Sequence, residues 1–122
     1  MAGVFSQKVA SAVSKIPRGK VATYEQVAKA AGSPFAYRAV GNVLSKLYRF
    51  DHEALPFASA KPLPCHRVIR KDGKIGGFAA GSAQKKKLLS AEGILFEKRN
   101  KISMQIFAIS DQYFQNKNDE NY

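Results

Sequence analysis

Phe5, Val9, Val13 and Ile16 recur at three- and four-residue spacing, which predicts an amphipathic helix from about Gly3 to Ile16, ended by Pro17 and Gly19. Thr23 followed three residues later by Gln26 is a capping box, so a second, short helix opens there and closes at Gly32. Ser33-Pro34 offers an N-cap and a first-turn proline to a third helix that runs to about Leu47. Two short helices joined by a tight turn containing glycine predict a helix-turn-helix. Along its second helix, Val40, Val43, Leu44 and Leu47 make the apolar stripe, whereas Arg38, Gly41, Asn42 and Ser45 share the opposite side. An interior helical glycine costs about 1 kcal/mol relative to alanine. Gly41 therefore marks either a backbone that approaches another surface or a tight packing contact.

From Tyr48 to Leu63 no period is visible, and the stretch reads as a long loop that includes His52. Val68-Ile69-Arg70 and Lys74-Ile75 then flank Lys71-Asp72-Gly73, a hairpin signal in which Asp-Gly supplies positive backbone dihedrals. Its cations would form a basic wing. Ser82 opens a last helix through Lys85-Lys86-Lys87 to Gly93, with the lysine run solvated or facing phosphate. A small strand pair is expected around Lys98-Arg99-Asn100, and residues 115–122 form a polar tail. The expected fold is α/β and mainly helical: a winged helix-turn-helix-like single domain over residues 1–122 with a small β-hairpin wing.

The charge balance narrows the partners. The chain has 122 residues, enough for one domain, with 20 Lys+Arg against 9 Asp+Glu and a formal net charge of +11. Such an excess suits nucleic acid first and an anionic membrane surface second, or else serves solubility. Residues 102–122 hold Lys117 against Asp111, Asp119 and Glu120, so the positive charge lies upstream. No apolar run approaches the roughly 18 residues that span a bilayer, and the N-terminus has no signal-peptide core. A soluble, intracellular protein without a membrane partner is expected.

The chemistry centres on Cys65, the single cysteine, in Pro64-Cys65-His66-Arg67-Val68-Ile69. A lone thiol is commonly a small buried hydrophobe. Here Lys61, Arg67, Arg70 and Lys71 favour the thiolate, and His66 stands beside it to take or relay a proton. One cysteine and two histidines form no recognisable zinc site, and no metal or other cofactor is expected.

Pro64-Cys65-His66-Arg67-Val68 also resembles the active-site signature of the O6-alkylguanine-DNA alkyltransferases, repair proteins that move an alkyl group from a guanine oxygen onto their own cysteine. The resemblance continues through Gly19-Lys20-Val21-Ala22-Thr23-Tyr24-Glu25-Gln26-Val27-Ala28, Tyr37-Arg38-Ala39-Val40-Gly41-Asn42, Gly76-Gly77-Phe78-Ala79-Ala80-Gly81 and Lys85-Lys86-Lys87-Leu88-Leu89-Ser90-Ala91-Glu92-Gly93, in the family's order. It implies that Cys65 accepts the alkyl group once and irreversibly. By the same match His66 and Glu92 relay the thiol proton, while Tyr24 and Lys85 assist the leaving guanine. The helix of Arg38, Ala39, Gly41 and Asn42 would enter the DNA, with Arg38 filling the gap left by the flipped nucleotide. Arg67, Arg70 and Lys71 would add DNA contacts, and Val68, Phe78 and Ala79 would line the substrate pocket. The implied partner is double-stranded DNA containing O6-alkylguanine, bound by a monomer.

The chain departs from the family in two places. The link between Arg38 and Cys65 is longer than usual, and Phe57 stands where an asparagine would order the reactive turn, so Asn42 or Ser59 is expected to substitute. Phe78 and Ala79 also replace a tyrosine and a serine in the pocket loop. An alkyltransferase-like protein that binds the lesion and recruits excision repair is the alternative reading. Those proteins usually lack the cysteine. A basic DNA-binding protein without chemistry would need neither the Pro-Cys-His-Arg turn nor Glu92.

Overall fold

The computed structural model describes residues 3–51, 63–77, 81–110 and 112–114. Helix α1 spans Val4–Ser14, and the periodic residues that predict it are inward: Val9, Val13 and Ile16 are buried, with Phe5 packed at the edge. Strand β1, Ala22–Thr23, leads directly into α2, Tyr24–Ala30. The capping box is present in both directions, with the Gln26 N–H donating to Thr23 Oγ1 at 3.0 Å and the Thr23 N–H donating to Gln26 Oε1 at 2.9 Å. That cap fixes where α2 begins, and so places Tyr24 at its first residue.

Helix α3 spans Tyr37–Asp51, starting later and ending later than the sequence suggests. Ser33-Pro34 does not cap it. The Ala36 N–H donates to the Ser33 carbonyl at 2.9 Å, closing a separate turn around Pro34 and Phe35 before α3 begins. Helices α1, α2 and α3 pack on one another, and Val40, Leu44 and Leu47 enter the same core as Val27 and Ala28. Helices α2 and α3 with their intervening turn form the helix-turn-helix. The expected loop is helical as far as Asp51; residues 52–62, with His52, Phe57 and Ser59, lie outside the described residues.

Strand β2, Val68–Ile69, pairs in parallel with β1 in the register Ala22↔Val68 and Thr23↔Ile69. Alternation across this pair divides the interior into two clusters. Ala22 and Val68 face the helical core, whereas Val21 and Ile69 face a smaller cluster with Leu89, Ile94 and Ile102. Helix α4, Ser82–Ala91, supplies Leu89 to this second cluster, and α5, Met104–Phe107, leads into Ala108 and Ile109, which run beside Val21. The α5 segment is not anticipated in the sequence.

The wing is a turn rather than a full hairpin. The Arg70 N–H donates to the Lys74 carbonyl at 2.9 Å, but Lys74 bridges Lys101, and β2 is committed to β1. Both β2 side chains are fully buried, so the strand packs into the interior instead of standing out as a wing. Gly73 holds the turn at φ +88°, and a Cβ there would lie 2.9 Å from the Ile102 carbonyl oxygen. The strand pair expected around residues 98–100 is reduced to a bridge between Phe96 and Ile102 over a 3-10 turn, Lys98–Asn100.

Candidate active site

Cys65 begins a 3-10 turn, Cys65–Arg67, tied by bonds from the Cys65 N–H to the Leu63 carbonyl at 2.8 Å and from the Arg67 N–H to the Pro64 carbonyl at 2.9 Å. Cys65 is 4% exposed and packs against the helical core. Its turn lies against α4, whose C-cap residue is Glu92. A carboxylate at a helix C-terminus meets the negative end of the dipole, so Glu92 needs compensating charge.

Arg67 and His66 provide it. Arg67 Nε donates to Glu92 Oε1 at 2.9 Å and Nη2 to Oε2 at 2.7 Å, while Nη1 donates to the Ile16 carbonyl at 2.7 Å. His66 Nε2 lies 2.8 Å from Glu92 Oε2. Burial alone would push the Glu92 carboxyl up, but these hydrogen bonds and charges reverse it and hold the group at about 2. An ionised Glu92 accepts only, so Nε2 of a neutral His66 carries the hydrogen and Nδ1 keeps its lone pair. Burial holds His66 below the usual imidazole range against the opposing pull of Glu92, with Arg67 and Lys85 adding to the depression. The imidazole is therefore a neutral base held in one tautomer.

The inward position of Arg67 corrects its reading as a DNA contact. Its guanidinium is occupied by Glu92 and Ile16, with the side chain only 16% exposed. Val68 keeps its side chain in the core and brings its carbonyl to the site.

Lys85 lies on α4 and is 1% exposed, so the lysine run is not uniformly solvated. Its Nζ donates to the Val68 carbonyl at 2.7 Å, to the Gly77 carbonyl at 3.2 Å and to Tyr24 Oη at 3.4 Å. Burial lowers its ammonium to about 8, with the negative charge of a Cys65 thiolate opposing the fall. Tyr24 is raised by burial and by the same thiolate, against a smaller influence of Arg70. Cys65, Lys85 and Tyr24 thus lie within one electrostatic neighbourhood.

Tyr24 also lines an open cleft of about 750 Å³ with Tyr37, Arg38, Gly41, Arg70 and Lys71. A Cβ on Gly41 would lie 3.8 Å from the Tyr24 ring, so α3 passes close to that aromatic face. Gly76, at φ +75°, closes the other side: a Cβ there would lie 3.3 Å from both Tyr24 Oη and Arg70 Cγ. Arg38 and Asn42 are exposed, and Ala39 is half-buried. Phe78 and Ala79 lie outside the described residues. Sequence reasoning missed Tyr37 and the Gly76-Gly77 backbone; paired glycines after a turn were the available signal of close backbone approach.

Residues 4–94 match the family described as the DNA-binding domain of 6-O-methylguanine DNA methyltransferase. The chain belongs to this family. It is 42% identical over 94 residues to the methylated-DNA–protein-cysteine methyltransferase of Methanothermobacter thermautotrophicus, a match covering 76% of this chain and 46% of that protein. It is 37% identical over 101 residues to the DNA base-flipping protein of Escherichia coli K12, covering 83% of this chain and 70% of that one. Among solved structures, S. pombe Atl1 in complex with damaged DNA containing O6-carboxymethylguanine superposes with a TM-score of 0.70 and 29% identity, over 90% of this chain and 99% of that chain. The chain spans about half the length of the methyltransferase relative it matches and nearly all of Atl1. Among the described residues, no cluster of candidate metal ligands occurs, and no helix is long and apolar enough to cross a membrane.

Proposed function

We propose that this protein repairs DNA by moving an alkyl group from the O6 atom of guanine to Cys65. The observation that carries the reading is the hydrogen-bonded line from His66 through Glu92 to Arg67, built directly onto the cysteine turn. In this mechanism His66 Nδ1 takes the Cys65 proton, directly or through a water, and Lys85 supports the resulting thiolate. A bond forms between Cys65 Sγ and the alkyl carbon as the carbon–O6 bond breaks. The electron pair goes to guanine, where the Tyr24 hydroxyl, with Lys85 behind it, stabilises the developing charge. Arg70, Lys71 and Arg38 line the cleft that receives DNA, and Arg38 fills the stack when the base is extruded, a step that costs a few kcal/mol. A thioether is not hydrolysed by ordinary side-chain acid–base chemistry, so each molecule acts once.

Atl1 favours a second reading, lesion binding without transfer, because its structure extends over nearly the whole of this chain. Intact mass after incubation with an O6-methylguanine oligonucleotide separates the two. The expected result is one added methyl per molecule, located on Cys65 and absent from Cys65→Ser. Tight binding with unchanged mass would assign the chain to lesion recognition.

A further inference from the structure

Phe35 is 92% exposed at the turn that joins the two helices of the helix-turn-helix. A single exposed apolar residue is ordinary on a protein surface. The position of this one is not. The turn is closed by the Ala36-to-Ser33 bond and stiffened by Pro34, so the ring is presented from a fixed backbone rather than a loose one. Tyr37, two residues on, is 39% exposed, and Arg38 is exposed beside it; both line the cleft with Arg70 and Lys71. Gly32, Ser33 and Ala36 around Phe35 are small, Arg38 is the nearest cation in sequence, and apart from Tyr37 the other large exposed apolar residues, Val4, Leu95 and Ile106, lie elsewhere in the chain. A protein-docking site would present a continuous apolar patch. An exposed aromatic ring three residues before an exposed arginine matches the chemistry of surfaces that stack nucleobases.

We propose that Phe35 is a base-stacking contact on the helix-turn-helix turn, two residues before the cleft residue Tyr37, taking the face of a base exposed where bound DNA opens. This rests on the DNA-binding reading above. The contact has no hydrogen-bond readout, so it adds affinity for opened DNA without sequence preference. It also requires little ordering, because the backbone is already set and phenylalanine has few rotatable bonds.

The 122-residue sequence contains no tryptophan, which makes Phe35→Trp a single reporter in this chain. Its emission should be quenched by a single-stranded oligonucleotide and left unchanged by heparin, a polyanion that occupies the cations but offers no base. Phe35→Ala and Phe35→Leu should each weaken binding to that oligonucleotide by about tenfold, the scale of one lost stack, with the salt dependence unaltered because no phosphate contact is removed. Unchanged affinity in both variants would overturn the proposal and assign Phe35 to another partner, as would quenching by heparin equal to that by DNA. If the wild-type chain binds neither duplex nor single-stranded DNA, the functional reading itself falls and the stacking contact with it.

Discussion

Lys85 Nζ donates to the Val68 carbonyl at 2.7 Å, so a buried ammonium is anchored on the strand that leaves the cysteine turn. The bond fixes a cation beside Cys65 without offering it to solvent. Burial favours the uncharged amine, yet with its ammonium at about 8 Lys85 remains mostly protonated at neutral pH. Lys85→Met should therefore slow modification of Cys65 by a neutral alkylating agent at about pH 7, by on the order of tenfold, because the thiolate loses its neighbouring cation. A rate equal to wild type would remove Lys85 from the activation of the thiol.

The same group makes stability depend on pH. Between about 8 and the unfolded value near 10.4, the unfolded chain binds the lysine proton and the folded chain does not, so unfolding free energy rises with pH in this window. Below it the burial penalty is fully present. Denaturant melts at both ends should show wild type gaining up to roughly 3 kcal/mol relative to Lys85→Met. Parallel curves for the two proteins would mean that Lys85 titrates normally.

Glu92 gives a dependence of the same sign in the acid range, but as a stabilising group at neutral pH rather than a penalised one. Its folded pKa is depressed to about 2, so its contribution is present above the unfolded value near 4.3 and is lost as pH falls toward 2. Glu92→Gln should lack this acid-induced loss and should be about 3 kcal/mol less stable at neutral pH, because Arg67 is left without its partner in a largely buried site. The variant should also transfer alkyl groups more slowly, since the His66 tautomer is no longer fixed. In wild type the rate should hold down through the ordinary histidine range and fall below it, as the depressed His66 finally protonates. A rate that drops already at neutral pH would place the base elsewhere.

Gly41 separates stability from binding. A methyl group there would sit 3.8 Å from the Tyr24 ring, an ordinary contact, so Gly41→Ala should fold and gain about 1 kcal/mol of helix stability. It would also fill part of the cleft where α3 passes Tyr24. Thermal melts should rise while DNA affinity falls; a more stable variant that binds DNA normally would show that the glycine serves packing and not approach.

The division between legible and hidden features follows from the range of the forces involved. The stripe of Val9, Val13 and Ile16 and the Thr23–Gln26 cap are set by neighbours within one or two turns, and both were readable. The parallel pairing of Val68 with Ala22 depends on residues far apart in sequence, and no local pattern announces it; Asp72-Gly73 signalled the turn but not that Lys74 would pair with Lys101. Among the site residues, His66 and Glu92 were expected to meet through the family resemblance alone, and they lie 2.8 Å apart. Arg67 was misplaced because a cation next to a reactive cysteine looks the same in sequence whether it faces phosphate or a buried carboxylate. Its three hydrogen bonds to Glu92 and Ile16 appear only once α1 and α4 are packed against the turn.

Arg38 and Tyr24 line the same cleft from different helices, and they should fail in different ways. Arg38 is exposed and lies on the helix face turned from the core, so Arg38→Ala leaves the fold intact and removes only what the side chain gives to DNA. Its rate on duplex DNA should drop markedly, because the gap in the stack is no longer filled and the flipped state is less populated. Its rate on a free O6-alkylguanine base, which needs no extrusion, should stay near wild type. Tyr24 instead stands within 3.4 Å of both Lys85 Nζ and the Gly77 carbonyl, on the side of the cleft nearest the chemistry. Tyr24→Phe should slow both substrates alike, since the hydroxyl that meets charge on the leaving ring is lost in either case. Paired rates on duplex and free base decide the matter: equal losses for Arg38→Ala on both would make Arg38 a part of the pocket rather than a wedge in the stack.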